Sequence, residues 1–492
     1  MGSPVFPYSS SLKLHKNTPT PIYLQLANGL VDLIRNGQLR TETRLPGSRE
    51  MAGIMELHRK TVIAAYNELI SQGWAVAKPS KGTFVINKLP IDSPVSIAQP
   101  NTTESKKANI WFKRRDHLIN TDSYYPDHLI VDEGVPDVRL APVDLINRAY
   151  KNVVRHSYQY RHLSYADPRG DTDLRVQLQS YLQATRGINV STDQILITRG
   201  SQMGIYLASK TLIEPGDQVV VGDTNYINTD HTLLDAGAQI LRCAVDQDGL
   251  DTVALEKICR SHKVKLVYVT PHHHHPTTAT LTAERRLHLL HLAEQYDFAI
   301  IEDDYDYDYH YERSPIMPLA SADVQGRVIY LGGISKLVAP VYRIGFMIGP
   351  EQYIDAASQY RRIVDRQGDT LLERAFAHLF KMGDVQRHAK KALQVYRQRW
   401  LAFGDELASL PEELVQFQRP SGGMAYWVGL HQDYHWGTLS EMLLQHKVVI
   451  PSYAKYDQHQ IGHNYIRLGF ASLNDEERST FFEALNKVLS EL

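Results

Sequence analysis

The sequence predicts two domains of different fold class, a small winged helix-turn-helix followed by a larger α/β domain. Three observations support this prediction. Helical apolar spacing and then two short alternating segments fill the first 86 residues. Strand and helix patterns alternate from about residue 126 to the end, while the stretch between is polar, Pro-containing and without periodicity. We therefore expect a winged helix-turn-helix over 12–86, a flexible linker over 87–125 and an α/β domain over 126–492.

Composition places the chain among globular proteins. It has 492 residues, of which 43% are hydrophobic and 22% charged. Two cysteines are too few for a disulfide framework, which fits a reducing compartment. The N-terminus lacks the pattern of a signal peptide, and no apolar run approaches the ~20 residues that span a bilayer. These features predict a cytoplasmic protein with no membrane partner.

Charge is distributed unevenly along the chain. Residues 1–90 carry 11 Lys and Arg against 5 Asp and Glu, a net charge of +6. The remainder carries 42 against 50, a net charge of −8. A basic small domain joined to an acidic large domain predicts that the small domain binds a polyanion.

The small domain begins with helical patterns. Apolar residues with helical spacing predict a helix over Pro21–Arg35, which Asn36-Gly37 ends. Ser48 is placed to act as the N-cap of a short helix over Arg49–Glu56. A second helix is predicted through Lys60–Ile70.

Two alternating strands complete the small domain, over 74–77 and 82–86, around a turn that contains Lys81. In a winged helix-turn-helix the second helix of the pair enters the major groove with its N-terminal residues. We therefore predict that double-stranded DNA is bound by residues Arg44, Ser48, Arg49, Arg59, Lys60, Thr61, Lys81 and Gly82.

The large domain contains a lysine in an unusual setting. The apolar strand 328–330 runs into a Gly-rich turn that presents Ser335 and Lys336, and Arg343 follows seven residues later. A lysine that forms a Schiff base must be held in place and partly desolvated. A nearby hydroxyl and guanidinium suit a phosphate. Together these groups predict a seat for pyridoxal phosphate (PLP), and the alternative is an ordinary surface lysine.

A carboxylate upstream strengthens this prediction. The buried-strand pattern 298–301 leads into Asp303 and Tyr305. A carboxylate at a strand end can pair with a protonated pyridine nitrogen and keep the cofactor an electron sink. Tyr305 could reach the phenolate oxygen of the cofactor.

The small domain carries specific motifs, which are Leu45–Ala52, His58–Val62, Tyr66, Leu69, Gly73-Trp74 and Lys81–Val85. Through these motifs residues 20–85 resemble the GntR-type winged helix. The resemblance covers the whole small domain.

The large domain resembles fold-type I PLP-dependent aminotransferases, and the whole chain resembles the MocR-type regulators of the GntR family. The resemblance implies that Lys336 forms the Schiff base and that Tyr226 stacks on the cofactor ring. It implies that Arg467 binds an effector carboxylate, and that Tyr165 reaches the phosphate held by the partner subunit of a homodimer. The remaining cofactor-binding residues that it implies are Asp303, Tyr305, Ser201, Gln202, Ser335 and Arg343.

The substrate side of the pocket departs from the family pattern. Pro276-Thr277-Thr278 stands where relatives have Pro-Thr-Gly or Pro-Ser-Gly, and four histidines, His272–His275, precede it. We place these histidines at the pocket rim, with His275 as an effector contact. Adjacent side chains on an extended loop point in opposite directions, and no zinc-like spacing is present, so we expect no metal. The aromatic-acidic stretch 305–311 is interpreted as a surface or dimer contact.

Three functions remain open at this point. The first is a transcription regulator that senses an amino compound through an aldimine with PLP and is not itself an enzyme. The second is a working aminotransferase with an appended DNA-binding domain. The third is a regulator that senses PLP itself. A groove-reading helix favours the first and third, because an enzyme does not need one.

Overall fold

The computed structural model describes residues 6–15, 18–88, 109–118, 125–156, 163–312, 314–457 and 462–491. The chain divides into two compact units, residues 1–113 and 114–492. Of the predicted linker, residues 89–108 and 119–124 lie outside the described residues. No helix in the described ranges is both long enough and apolar enough to cross a membrane.

The N-terminal unit is a helical domain with a two-stranded hairpin. Its helices are α1 (Tyr8–Ser11), α2 (Ile22–Arg35), α3 (Ser48–Ile54) and α4 (Arg59–Ser71). Strands β1 (Ala75–Lys78) and β2 (Gly82–Val85) pair antiparallel. The apolar faces of α2, α3 and α4 form one core, in which Leu26, Leu30, Met51, Val62 and Leu69 are fully buried. The winged helix-turn-helix prediction is confirmed.

One local prediction in this unit is wrong. Ser48 is not the N-cap of α3, because the cap is Gly47 and Ser48 is the first helical residue. The backbone N–H of Gly47 donates to Oε2 of Glu50 at 3.2 Å, which ties the start of the helix without a serine cap. The Ser48 hydroxyl instead accepts a hydrogen bond from Nε of Arg59 at 3.3 Å. Ser48 therefore links the two helices of the pair.

The C-terminal unit is built on a seven-stranded mixed sheet with helices around it. Its strands are β4 (Ile195–Thr198), β5 (Gln218–Gly222), β6 (Gln239–Cys243), β9 (Val264–Val269), β10 (Ala299–Asp304), β11 (Val328–Gly333) and β12 (Gly345–Ile348). Their spatial order is β4-β12-β11-β10-β9-β5-β6. Strand β12 is antiparallel to both of its neighbours, β4 and β11, and the other neighbouring strands of the sheet are parallel.

The remaining elements surround this sheet or form a smaller one. The helices are α5 (Val143–His156), α6 (Thr172–Arg186), α7 (Ser201–Leu212), α8 (Ile227–Ala236), α9 (Thr252–Ser261), α10 (Ala283–Tyr296), α11 (Leu319–Ala322), α12 (Glu351–Val364), α13 (Thr370–Lys381), α14 (Asp384–Ser409), α15 (Trp436–Gln445) and α16 (Asp475–Ser490). Two short strand pairs are β3 (Leu129–Ile130) with β15 (Val448–Val449), and β7 (Val245–Asp246) with β8 (Gly249–Leu250). A second sheet has the order β13 (Val415–Phe417), β14 (Ala425–Leu430) and β16 (Tyr465–Gly469).

The parallel strands explain where a site forms. The carboxyl ends of β9, β10 and β11 lie side by side, with Asp303 opposite Leu331 in the register of β10 and β11. Ligands of open α/β sheets bind at this edge. The α/β prediction is confirmed, and both Asp303 and Lys336 lie at this edge or just beyond it.

The interpretation of residues 305–311 as a surface or dimer contact is wrong. Asp306, Tyr307, Tyr309 and Tyr311 are all buried. Tyr309 donates to the carbonyl oxygen of Lys336 at 3.0 Å, and Tyr311 donates to that of Gly423 at 2.6 Å. The stretch is therefore part of the core beneath the site, where each phenol has a hydrogen-bond partner.

Candidate functional site

Lys336 lies just beyond the end of β11, on the turn that begins at Gly333. Its Nζ donates to the carbonyl oxygen of Gly134 at 2.5 Å. Burial lowers the pKa of this amine from its ordinary value, and the nearby Asp132 carboxylate opposes the effect. A lysine with a lowered pKa supplies more of the neutral amine that attacks carbonyl groups.

Asp303 is a buried carboxylate at the end of β10. Tyr268, on the neighbouring strand β9, donates a hydrogen bond to its Oδ2 at 2.9 Å. The other oxygen, Oδ1, is buried without a hydrogen-bond partner in the described part of the chain. Burial raises the pKa of Asp303 to about 7, and the Tyr268 hydrogen bond opposes this effect. The site therefore holds an acceptor oxygen that a cationic N–H group would satisfy.

The N-terminus of α7 forms a cradle for an anion. Free N–H groups at the start of a helix favour a negative group. Gly200, which precedes the helix, has φ 77°, and a Cβ added there would lie 2.7 Å from Nη2 of Arg343. The same Nη2 donates to the carbonyl oxygen of Arg199 at 3.0 Å. Glycine thus lets the guanidinium of Arg343 lie against the start of α7.

Two side chains add polar groups to this cradle. Within the described residues, the hydroxyl oxygen of Ser335 and Oε1 of Gln202 are buried without hydrogen-bond partners. Nε2 of Gln202 donates to Oγ1 of Thr232 at 2.9 Å, which fixes the amide. The cradle therefore combines a helix N-terminus that begins at Ser201 with a hydroxyl, an amide and a guanidinium, a donor set suited to phosphate.

Arg467 lies on β16 and is almost fully buried. It donates to the carbonyl oxygens of Glu133 (2.8 Å) and Pro276 (3.0 Å) and to the hydroxyl of Tyr305 (3.2 Å). Tyr305 in turn donates to the carbonyl oxygen of His273 at 2.7 Å. These contacts use three of the five N–H groups of the guanidinium and hold it in one orientation.

His275 packs against two aromatic rings, those of Tyr226 and Tyr305. The ring centroids of His275 and Tyr226 are 5.0 Å apart with an edge-to-face geometry, and the Tyr305 ring lies 6.3 Å from His275. Burial, with help from the nearby Arg467 and His274, lowers the pKa of His275 well below its ordinary value. The imidazole is therefore neutral, and its Nδ1 has no hydrogen-bond partner in the described chain.

The other three histidines of the run are buried in structural contacts, so the prediction that the whole run lines the pocket rim is wrong. His272 pairs with Asp304 at 3.1 Å, and His273 with Asp306 at 2.8 Å. His274 contacts the hydroxyl of Thr277 at 2.9 Å. The described part of the chain contains no cluster of three or more His, Cys, Asp or Glu residues that could hold a metal ion.

Tyr165 lies apart from the other predicted cofactor residues. Its side chain is 74% exposed, and the guanidinium of Arg366 lies 4.1 Å from its ring centroid. An exposed aromatic ring held in this way is available to a second molecule.

The predicted DNA-binding residues are exposed or half-buried on the N-terminal unit. His58 caps α4 by accepting from the N–H of Lys60 at 3.2 Å, which presents Arg59, Lys60 and Thr61 on the first turn. Lys81 lies in the turn between β1 and β2, and Gly82 has φ 111°. A Cβ on Gly82 would lie 3.1 Å from Nε of Arg44. The structure thus brings Arg44 next to the hairpin turn, and it pairs Arg59 with Ser48.

Comparison with known proteins places both units in families. Residues 22–85 match the bacterial regulatory proteins of the gntR family, and residues 137–485 match the aminotransferase class I and II family. The chain is 30% identical to the probable rhizopine catabolism regulatory protein MocR of Rhizobium meliloti over 400 residues, 80% of this chain and 78% of the relative. The chain is a MocR-type member of the GntR family.

Other relatives extend over either the whole chain or its large unit. The HTH-type transcriptional regulator YdfD of Bacillus subtilis is 28% identical over 96% of this chain and 97% of its own length. The crystal structure of Pyrococcus horikoshii kynurenine aminotransferase in complex with PMP is similar with a TM-score of 0.69 and 28% identity. That match covers 74% of this chain and 91% of the solved chain.

The site of this MocR-type chain fits the cofactor that its fold supports, pyridoxal phosphate. Four of the buried polar atoms without partners in the described chain belong to this site, namely an acceptor on Asp303, a hydroxyl on Ser335, an amide oxygen on Gln202 and a ring nitrogen on His275. The first three lie on predicted cofactor residues and the fourth on the predicted effector contact, and burial without a partner carries a cost. A ligand with a pyridinium N–H and a phosphate would satisfy two of them, the Asp303 acceptor and the Ser335 hydroxyl.

Three contributors to the site escaped the sequence prediction. They are the Tyr268 hydroxyl on Asp303, the Gly134 carbonyl on Lys336 and the Glu133 carbonyl on Arg467. Tyr268 lies at the end of a strand pattern, 264–269, which is a signal that could have drawn attention to it. The two carbonyls had no such signal, because every residue carries one.

Proposed function

We propose that this protein is a DNA-binding transcription regulator that binds PLP in its large unit and senses an amino compound, or PLP itself, there. The observation that carries the proposal is that one chain holds both sites. Lys336, Asp303 and the α7 cradle form a site suited to bind PLP, and the N-terminal unit presents basic residues on a winged helix. An aminotransferase alone does not need the second site.

Four parts of the pocket would hold the cofactor. Lys336 would bind its aldehyde carbon, and Oδ1 of Asp303 would accept from its pyridinium N–H. Ser201, Gln202, Ser335 and Arg343 would surround its phosphate, and Tyr226 would stack on the ring. Tyr305 donates to the carbonyl oxygen of His273 and accepts from Arg467, and its hydroxyl would exchange the carbonyl for the phenolate oxygen of the cofactor. PLP supplies an aldehyde that condenses with primary amines and a ring that withdraws electrons.

The effector would meet the opposite side of the same pocket. Arg467 keeps two N–H groups for an effector carboxylate, because three carbonyl and phenol oxygens fix the others. The neutral His275 would offer a hydrogen bond and no positive charge. An amino compound with a carboxylate fits this pairing of guanidinium and imidazole.

The exposed ring of Tyr165 supports a homodimer, in which it would reach the phosphate held by the partner subunit. We place Ile363 at the same interface, because it lies three residues before Arg366, whose guanidinium contacts the Tyr165 ring. Ile363 is 82% exposed. Burial of this side chain against a second copy would remove its apolar surface from water.

The N-terminal domain, over residues 12–86, would bind a double-stranded DNA operator, with the linker over 87–125 and the cofactor domain over 126–492. Arg59, Lys60 and Thr61 lie on the first turn of α4, the position from which a recognition helix reads base edges. Arg44, Ser48, Arg49, Lys81 and Gly82 would contact the backbone on either side.

A working aminotransferase is the second candidate. It is favoured by the similarity to the kynurenine aminotransferase and by the complete set of residues predicted to bind the cofactor. Titration of amino acids, amines and free PLP against both the absorbance spectrum and operator binding separates the two. A regulator gives a spectral change and altered operator binding with at most one turnover, whereas an enzyme gives many turnovers and no operator.

A further inference from the structure

One face of helix α8 contacts the candidate phosphate cradle and also the end of the linker. Asn228, His231, Thr232 and Asp235 are spaced i, i+3, i+4 and i+7, so they form one stripe along the helix. The helix begins directly after Tyr226 and has 10 residues. At 1.5 Å per residue the stripe from Asn228 to Asp235 spans ~10 Å.

The first half of the stripe is tied to the cofactor residues. Nε2 of Gln202 donates to Oγ1 of Thr232 at 2.9 Å, and that hydroxyl donates to the carbonyl oxygen of Asn228 at 2.6 Å. The amide of Asn228 donates to the hydroxyl of Tyr226 at 2.8 Å. The cradle amide and the predicted stacking ring are therefore connected to the same two helical turns.

The second half of the stripe is tied to the end of the linker. Nε of Arg115 lies 3.5 Å from Oδ1 of Asp235, and the His117 and His231 rings are 5.8 Å apart. The side chains of Arg115 and Asp235 are 37% and 32% exposed. An ion pair with that exposure is weak, so modest shifts of the helix can make or break it.

We propose that residues 114–118 form a latch on α8 that responds to PLP. PLP would fix Tyr226 and Gln202, and the α8 stripe would carry that change to Asp235 and His231. The linker end would then be held more tightly when PLP is bound. This inference rests on the proposed function, and it adds the route by which the large unit controls where the DNA-binding domain can go.

The first test is amide hydrogen exchange of the full-length protein with and without saturating PLP. The latch predicts slower exchange for residues 114–118 and for the last turn of α8 when PLP is present. Identical exchange of these amides in the two states would overturn the proposal, provided that PLP protects the amides around Gln202 in the same sample.

The second test uses the double variant Arg115→Ala/His117→Ala, with Lys113→Ala as the matched control. Lys113 is an exposed cation two residues before Arg115. The double variant should bind PLP about two- to fivefold more weakly, the range for one exposed ion pair, because coupling between two sites is reciprocal. It should also lose the effect of PLP on operator affinity, while the control keeps both.

The outcomes separate the latch from the proposed function. If the parent protein responds to PLP on its operator and the double variant responds equally, the latch is overturned. If PLP changes exchange at 114–118, but operator affinity of the parent changes neither with PLP nor with PLP plus the amino compounds, the latch stands and the regulator proposal fails.

Discussion

The hydroxyl of Tyr268 holds one oxygen of Asp303 at 2.9 Å and leaves the other buried without a partner among the described residues. The hydrogen bond fixes the carboxylate across two neighbouring strands. The free oxygen is then aimed at whatever fills the pocket. Because burial raises the pKa of Asp303 to about 7, the carboxyl becomes a full anion only when a cationic partner arrives or the pH rises.

This relationship predicts a pH-dependent effect of Asp303→Asn on the cofactor-free protein. The folded-state pKa of about 7 lies above the ordinary value of 3.8, so ionisation costs stability as the pH rises through this range. Asparagine removes that cost. The variant should be more stable than the parent at pH 8, by up to about 4 kcal/mol, and nearly equal near pH 4.

Urea unfolding at the two pH values measures this difference. The same variant should bind PLP at least tenfold more weakly, since a neutral amide does not favour a protonated pyridine. Asp304→Asn is the contrasting variant. The pKa of Asp304 is lowered to about 2, against the effect of burial, chiefly by His272. Asparagine at position 304 should therefore lose the ion pair with His272. An Asp303→Asn protein with parental PLP affinity would remove Asp303 from the site.

Thr278 predicts a stabilising substitution. Its φ is 62°, a region that a β-branched residue rarely adopts. Thr278→Gly should raise the free energy of unfolding by about 1 kcal/mol, since glycine has no strain there. The N–H of residue 278 would keep its 2.7 Å bond to the carbonyl oxygen of His274.

The matched control for this change is Thr277→Gly. Residue 277 does not have a positive φ, and its hydroxyl contacts His274. This neighbour should therefore lose stability on substitution. Equal losses at both positions, measured by thermal unfolding, would show that backbone strain at Thr278 is not significant.

Arg59→Ala and Lys81→Ala should affect DNA binding differently. Arg59 begins the recognition helix, where an arginine contact to guanine is worth ~1–3 kcal/mol of discrimination. Its loss should weaken the operator far more than random DNA. Lys81 lies on the hairpin turn, so its loss should weaken both about equally and reduce the salt slope by about one unit.

Fluorescence titrations at several salt concentrations distinguish these effects. If Arg59→Ala lowers operator and random DNA affinity by the same factor, α4 does not read the sequence. A parent protein that shows only salt-sensitive, sequence-independent binding would favour the aminotransferase alternative.

Ile363→Asp should break the homodimer. A charge placed at this exposed position would be desolvated at the interface, and we expect at least a tenfold loss of dimer affinity. Sedimentation should show the parent at about twice its 55.9 kDa chain mass. PLP affinity should fall together with dimer content, because Tyr165 would no longer reach the second site.

Leu287→Asp is the control for this variant. Leu287 is 65% exposed on α10 and should tolerate the charge without loss of the dimer. A parent that sediments as a monomer with PLP bound would contradict the dimer.

The sequence predicted those site residues that lie at or just after the end of a strand. Lys336 and Asp303 could be identified because each comes directly after a buried strand pattern, and parallel strands end at one edge. The contacts of Arg467 could not be predicted, since its two carbonyl partners lie 334 and 191 residues away in sequence. Tyr268 was missed because its contact with Asp303 depends on the register between β9 and β10, which cannot be predicted from the sequence of either strand.

Local competition explains the other errors. Ser48 was expected to cap α3, but Glu50 already binds the preceding N–H and Arg59 takes the serine hydroxyl. The stretch 305–311 appeared polar in sequence, yet backbone carbonyl oxygens accept from its phenols and allow them to be buried. For Ser48, the local sequence allows several hydrogen-bond partners. For the phenols of 305–311, the hydrogen-bond acceptors are distant in sequence.

The central claim is that the PLP site at Lys336 controls operator binding. Operator affinity without PLP, with PLP, and with PLP plus candidate amino compounds tests this claim most directly. Footprinting upstream of the protein's own gene and its neighbours would first define the operator. For the parent, PLP alone or PLP with an amino compound should change operator affinity at least fivefold, the lower end of typical coupling energies. Lys336→Ala, still folded and still DNA-binding, should show no such change. An equal response in the parent and the variant, or no response of the parent to any of these additions, would contradict the account.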